Sequence, residues 1–192
     1  MHPAIYSEFR SIVASLNIQG RVLEIGVNPR AASLLAMDLL QGTERVGLDL
    51  EGSKSVQGFE ILEGNGNDMP MFADSHFDLV LCNAMLEHDR YFWKTCAEIR
   101  RVLRTGGTAI IGAPAFTVAS GISAEALATL PFDLHPMDTP DAALTFRYHG
   151  VPLDYYRFSE DAFAEVIFEG YSNVALKSVL MPPRIIGYGL KR

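Results

Sequence analysis

An α/β fold with a mainly parallel sheet is what this sequence predicts, on three observations. A short apolar run, Val22 to Val27, is followed by a break at Asn28-Pro29, a helical pattern from Ala31 and a second apolar run, Arg45 to Leu50. A stronger apolar run, Phe77 to Cys82, precedes a helical pattern over Tyr91 to Leu103 and another strand pattern at Thr108 to Gly112. Val174 to Leu180 and Ile185 to Leu190 read as a hairpin joined through Pro182-Pro183.

Ahead of the first strand, Ile5, Phe9, Ile12, Val13 and Leu16 recur at helical spacing within Pro3 to Leu16. This helix is expected to pack beside the sheet and close one side of a ligand cleft. The stretch from Arg21 to Asp49 then reads strand, turn, helix, strand. Its second strand ends in Asp49, roughly 20 residues beyond the turn, where an acid can accept hydrogen bonds from ribose hydroxyls. That is a nucleoside-binding βαβ unit.

A dinucleotide site wants G-x-G-x-x-G, so that backbone and helix N-terminus can close on a pyrophosphate. Here the matching positions are Gly26, Asn28 and Ala31. A ligand with one ribose and no phosphate needs less of that cradle, and S-adenosylmethionine (SAM) is such a ligand. The stretch resembles motif I of the class I SAM-dependent methyltransferases, E/D-x-G-x-G-x-G, with Glu24 and Gly26 in place and Asn28 and Arg30 at the second and third glycines. Asn enters the left-handed backbone region more easily than other non-glycine residues. Arg30 opposes the helix dipole; it either pairs with the methionine carboxylate of the cofactor or is an exposed arginine.

Between Asp49 and the next strand candidate, Phe59 to Leu62, only Leu50 to Gly58 remain, whereas a parallel crossover takes about a dozen or more residues. The second crossover helix must be very short or replaced by a loop. Gly64, Asn65, Gly66, Asn67, Asp68, Met69 and Pro70 then occupy the positions of the family's G-D-A-x-D-L-P pattern. There an acid and the following N–H read the adenine edge. Asn65 stands for the acid, and its side-chain oxygen can still accept from an amino group. Without a ligand the same residues make a Gly/Asn turn.

Asn83 to His88 follows the Phe77 to Cys82 strand, at the carboxyl end where ligands bind in open α/β sheets. NAMLEH resembles the post-strand segment of small-molecule methyltransferases, near the sulfonium and acceptor. Asn83, Glu87 and His88 are therefore site candidates, with His88 the natural proton acceptor near neutral pH or else a structural hydrogen-bonding residue. The passage FWKTCAEIRRVLRTGGTAIIGAP matches the family's helix, L-R/K-P-G-G turn and fifth strand, with Thr105-Gly106-Gly107 stopping the helix.

From Ala115 to Pro152 the pattern lapses among scattered prolines, glycines and aromatics, which suggests a lid or insertion within one domain spanning 1–192. An excursion after the fifth strand lands over the cofactor pocket in this family, so His135, Tyr148 and His149 are candidate acceptor contacts; the alternative is a long surface connection. The string Asp154-Tyr155-Tyr156-Arg157-Phe158-Ser159 resembles one found in a subset of methyltransferases. Arg157 there either clamps an acidic acceptor or holds the lid through Asp154, and Ser159 is the expected N-cap of a helix over Glu160 to Phe168.

The resemblance implies a Rossmann-like three-layer sandwich whose seven-stranded, mainly parallel sheet has an antiparallel last strand. It implies SAM as cofactor. Glu24, Gly26, Asn28 and Arg30 would stand at the methionine part, Asp49 and Leu50 at the ribose, Asn65, Gly66, Asn67 and Asp68 at the adenine, and Asn83 nearby. Glu87, His135, Tyr148, His149 and Arg157 would meet the acceptor.

Composition narrows the classes further. A length of 192 residues with 48% hydrophobic content suits one globular domain. A formal charge of -7 argues against a nucleic-acid polymer, although Arg100, Arg101 and Arg104 could form a local basic patch or simply a solvated helix face. The two cysteines, Cys82 and Cys96, form no C-x-x-C or Cys/His cluster, so neither a disulfide framework nor a metal site is expected. No apolar run approaches the ~18 residues of a membrane span, and the N-terminus lacks a signal-peptide pattern, so a cytoplasmic protein is expected. Methyl transfer to a small-molecule acceptor is the favoured reading. A catalytically silent SAM-binding partner and a nucleotide-dependent oxidoreductase are the alternatives.

Overall fold

Pro3 opens the first helix, α1 (Pro3–Ser15), where its fixed φ suits the first turn, and the His2 side chain accepts from the Ala4 amide at 3.3 Å. Ile5, Phe9, Ile12 and Val13 are buried on one side of it. Removing each such side chain from water contributes about 1.5–3 kcal/mol, which holds α1 against the sheet. The computed structural model describes residues 1–27, 33–56, 58–118, 125, 143–145, 152–179 and 182–192.

The sheet strands are β1 (Arg21–Ile25), β2 (Glu44–Asp49), β3 (Ser53–Val56), β4 (Phe59–Glu63), β5 (Phe77–Asn83), β6 (Leu103–Pro114), β9 (Tyr171–Val179) and β10 (Arg184–Lys191). Two short strands outside it, β7 (Thr117–Val118) and β8 (Ala143–Leu144), pair with each other antiparallel. The order is β3-β4-β2-β1-β5-β6-β10-β9. From β4 to β6 every pairing is parallel; β10 then runs antiparallel to both β6 and β9. Seven strands thus form the expected Rossmann-like sheet with its reversed strand, and β3 adds a short eighth at the edge, antiparallel to β4.

Residues alternate across β1 and β5. Leu23, Ile25, Val80 and Cys82 join a core with Ile99 and Val102 of the second helix, α2 (Phe92–Val102). Val22, Leu79 and Leu81 join the opposite core with the buried face of α1. The layers are therefore α1, sheet and α2. On the α2 side Phe163 and Ile167 complete the core from a helical turn at Ala162–Ile167. Arg100 and Arg101 lie in the last turn of α2, where cations complement the dipole.

Four local expectations are corrected. After β1 the described residues form no α-helix; Leu34–Ala36 and Asp38–Leu40 are single 3₁₀ turns, the first capped by Ser33. Leu34, Leu35 and Leu40 are fully buried from these turns without a full helix. The second crossover contains no helix, because the chain returns as β3 and then re-enters between β2 and that strand. Thr105-Gly106-Gly107 does not follow the end of α2 as a separate turn; Leu103 is already extended, and the three residues lie inside β6 across a register shift against β5. The segment after Ser159 is not a regular α-helix. Ser159 Oγ does accept from the Ala162 amide at 3.1 Å, but the Phe168 amide donates to Phe163 O at 2.9 Å, the wider i→i+5 spacing of a π-turn.

Arg100, Arg101 and Arg104 form no basic patch, since they pair with Glu169, with Asp74 and Glu98, and with Asp78. Cys82 and Cys96 are free and buried. Among the described residues no helix is long and apolar enough to cross a membrane, and no group of three or more His, Cys, Asp or Glu could hold a metal ion.

Candidate cofactor and acceptor site

A cavity of about 300 Å³ opens at the carboxyl ends of β1, β2, β4 and β5. Its wall is Ile25 and Gly26 after β1, Leu48, Asp49 and Leu50 at the end of β2, Gly64 to Asn67 after β4, Met85 and His88 to Tyr91 after β5, and Tyr155. Gly26 has φ +80, and a Cβ there would lie 2.8 Å from Met85 Cβ and Cγ, so only glycine lets this backbone reach the wall. Its amide donates to Leu48 O at 2.8 Å, tying the first turn to the second strand.

Asp49 is partly buried, and burial raises its pKa; one oxygen accepts from the Glu51 amide at 3.1 Å. Asn65 Oδ1 accepts from the Asn67 amide at 2.9 Å and Asn65 O from the Asp68 amide at 3.0 Å, which folds 65–68 into a tight turn. A Cβ on Gly66 would stand 2.9 Å from Thr95 Oγ1, so the turn packs directly on α2.

His88 closes a 3₁₀ turn, Leu86–His88, that follows Ala84, a non-glycine residue at φ 56. Its Nδ1 lies 3.3 Å from Leu153 O. A carbonyl only accepts, so Nδ1 carries the proton and the neutral ring has its lone pair on Nε2. Glu87 is fully buried beside it, with Oε1 3.9 Å from both His88 Nε2 and Arg184 Nη2. Burial pushes its carboxyl up to about 7, against the pull of Arg184. The Glu87 carbonyl accepts from the Tyr155 amide at 2.8 Å, and Tyr156 Oη donates to Arg90 O at 2.8 Å, so the 153–158 segment is fastened to the turn that carries His88.

Of the residues expected at the site, Gly26, Asp49, Leu50, Asn65, Gly66, Asn67 and His88 line this cavity. Glu24 does not; strand alternation turns it toward the α1 side, where its carboxylate accepts from the Ser33 hydroxyl and from the Leu35 amide at 3.2 Å. Burial raises its pKa. Asn83 also points to the α1 side, where a Cβ on Gly112 would meet its Oδ1 and the Phe9 ring. Asp68 closes the turn but is outside the lining. Arg157 is held by Asp154 through two hydrogen bonds, Nη2 to Oδ2 at 2.6 Å. Asn28, Arg30, His135, Tyr148 and His149 fall outside the described residues.

Sequence reasoning passed over Asp89, Tyr155 and Arg184. Asp89 had a local signal, an acid just before a helical pattern. Arg184 had none, because β10 brings it to Glu87 across 97 residues of chain, 184 minus 87.

Residues 19–111 match the family described as methyltransferase domain. Demethylmenaquinone methyltransferase of Thermobifida fusca is 33% identical over 82 residues, 43% of this chain and 34% of that protein. The chain spans less than half the length of the curated relatives it matches. The structure of a SAM-dependent methyltransferase from Archaeoglobus fulgidus superposes with a TM-score of 0.68 at 11% identity, covering 98% of this chain and 93% of that one. The Burkholderia thailandensis 1,6-didemethyltoxoflavin-N1-methyltransferase, solved with 1,6-didemethyltoxoflavin and S-adenosylhomocysteine, superposes at 0.65 with 17% identity, covering 98% and 78%. The strand order, the fold shared with these structures and the match over residues 19–111 support a class I SAM-dependent methyltransferase domain in this chain.

Proposed function

We propose that the protein transfers the methyl group of SAM to a small-molecule acceptor. The observation that carries this reading is the cavity in which the Asp49 carboxylate and the Gly26 backbone share one wall with the Asn65–Asn67 turn. An acid there suits ribose hydroxyls, and a side-chain-free backbone suits close approach of the methionine part. The Asn65–Asn67 turn offers backbone and amide groups to an adenine edge. Asn28 and Arg30 are proposed at the same methionine end on the sequence alone.

SAM supplies an activated methyl on a sulfonium, so the chain's own task is to hold an acceptor atom in line with it and exclude water. We propose His88 as the base for an acceptor that retains a proton, a reading supported by its position in the cavity wall and by the contact of Nδ1 with Leu153 O. Glu87 and Arg157 stand behind His88 as groups that shape the acceptor side; on the sequence alone, His135, Tyr148 and His149 are proposed as acceptor contacts and the 115–152 segment as the lid. The small molecule bound by the Burkholderia enzyme supports a small acceptor. A cytoplasmic setting fits the two free thiols.

A second reading, a SAM-binding partner without turnover, is favoured by the 3₁₀ turns that stand where the first crossover helix was expected. Calorimetric titration with SAM, S-adenosylhomocysteine (SAH) and NAD(H), repeated on Asp49→Ala, tests the proposal. Saturable binding of both adenosyl ligands, weakened tenfold or more in the variant, is expected. NAD(H) binding alone overturns it, and adenosyl binding with no methyl transfer across an acceptor screen selects the second reading.

A further inference from the structure

One carboxylate joins the turn after β4 to the start of α2. Asp89 Oδ2 accepts from Asn67 Nδ2 at 2.6 Å and from Thr95 Oγ1 at 2.7 Å. Thr95 Oγ1 itself accepts from Asn67 Nδ2 at 2.8 Å, which closes a ring of three side chains. Asp89 Oδ1 is occupied by the Tyr91 amide at 2.8 Å. Thr95 is fully buried, and Asn67 and Asp89 both face the cavity.

The ring has a consequence for the ligand-facing turn. Asn65 sets the internal shape of the turn, but that shape does not set where the turn stands relative to β1 and β2. Three contacts do: the Gly64 amide on Asp49 O at 2.9 Å where the turn begins, the Met69 amide on Glu98 Oε2 at 2.7 Å beyond it, and the Asp89 ring at the turn itself. The contact between Gly66 and Thr95 presses the backbone onto the same ring. Charge-assisted hydrogen bonds in a partly buried ring are the strong kind, and they reinforce one another.

We propose that Asp89 is a positioning residue for the nucleoside, holding the 64–68 turn through Asn67 and Thr95 at the place where its backbone meets the adenine ring. This rests on the adenosyl reading of the cavity and adds to it a residue that does not itself belong to the binding motif. The carboxylate takes only donors, so it also fixes the Asn67 amide with its NH₂ toward Asp89 and its Oδ1 out of the ring.

The test is SAH affinity by calorimetry on the full chain, with hydrogen exchange of the 64–68 amides as a second readout. Asn67→Asp sets two carboxylates against each other and is expected to weaken SAH tenfold or more. The double variant Asn67→Asp/Asp89→Asn reverses the polarity of the ring with every member still paired, and is expected to return affinity and exchange protection to within about threefold of wild type. Thr95→Val removes only the hydroxyl and is expected to weaken SAH three- to tenfold while the protein stays folded at the assay temperature. Unchanged affinity in Thr95→Val and Asn67→Asp, or a double variant no better than Asn67→Asp, overturns the proposal. A wild-type protein that binds neither SAM nor SAH overturns the methyltransferase reading and this role with it.

Discussion

Arg184 Nη2 stands 3.9 Å from Oε1 of Glu87, at the point where β10 enters the sheet beside the end of β6. Neither residue is exposed: Glu87 is fully buried and the Arg184 side chain only 11% accessible. Arg157 and Asp154 lie close by, so two guanidinium and two carboxyl groups share the region behind His88. Burial dominates over pairing for Glu87, whose carboxyl is raised to about 7.

That shift predicts a pH dependence of stability. In the unfolded chain the carboxyl titrates near 4.5 and in the fold near 7, so between these values the folded state keeps a proton that the unfolded state has released. Stability therefore falls as pH rises through this window and is flat outside it. The term amounts to on the order of 2–3 kcal/mol. Urea unfolding from pH 4 to 8 should show it as a wild-type slope that Glu87→Gln lacks; parallel profiles would mean that the carboxyl titrates normally.

Gly26→Ala should destabilise the protein by about 1–3 kcal/mol, since the new methyl meets Met85 at 2.8 Å on a backbone at φ +80. SAH affinity should fall with it, because relief requires moving either the β1 turn or Met85, and both line the cavity. Chemical denaturation and calorimetry on the same samples measure the two effects.

The hydrogen bond from His88 Nδ1 to Leu153 O predicts that His88→Gln slows methylation of an acceptor that must lose a proton by about 10²- to 10⁴-fold. An acceptor already deprotonated at neutral pH should be affected little, and SAH binding by less than threefold.

Asp154→Asn should cost about 3 kcal/mol, because it leaves the mostly buried Arg157 guanidinium without its two-point carboxylate partner. Limited proteolysis should then cut first within 152–158, the segment that Asp154 and Arg157 brace from inside. Equal proteolysis of variant and wild type would assign the bracing to Tyr156 and its bond to Arg90 O.

Much of the frame was legible in order along the chain. The periodicity of Ile5, Phe9, Ile12 and Val13 marked α1, the apolar run at 77–82 marked β5, and Ser159 marked a helical cap, because each signal is local and its period is set by one element. The cavity wall at Gly26, Asp49 and Asn65–Asn67 was equally readable, since strand ends and turns carry their own residue signatures. What the order of residues does not encode is which side of a strand meets which ligand. Glu24 and Gly26 are two positions apart in one motif, yet strand alternation sends the first behind the sheet to Ser33, while the turn beyond β1 sets the second in the cavity. The 3₁₀ turns and the π-turn bury Leu34, Leu35, Leu40, Phe163 and Ile167 where a regular α-helix was expected, so packing overrode local preference. The Glu87–Arg184 pair and the Asp89 ring join distant elements, and long-range pairing leaves no period to detect; it exists only once the sheet has brought the strand ends together.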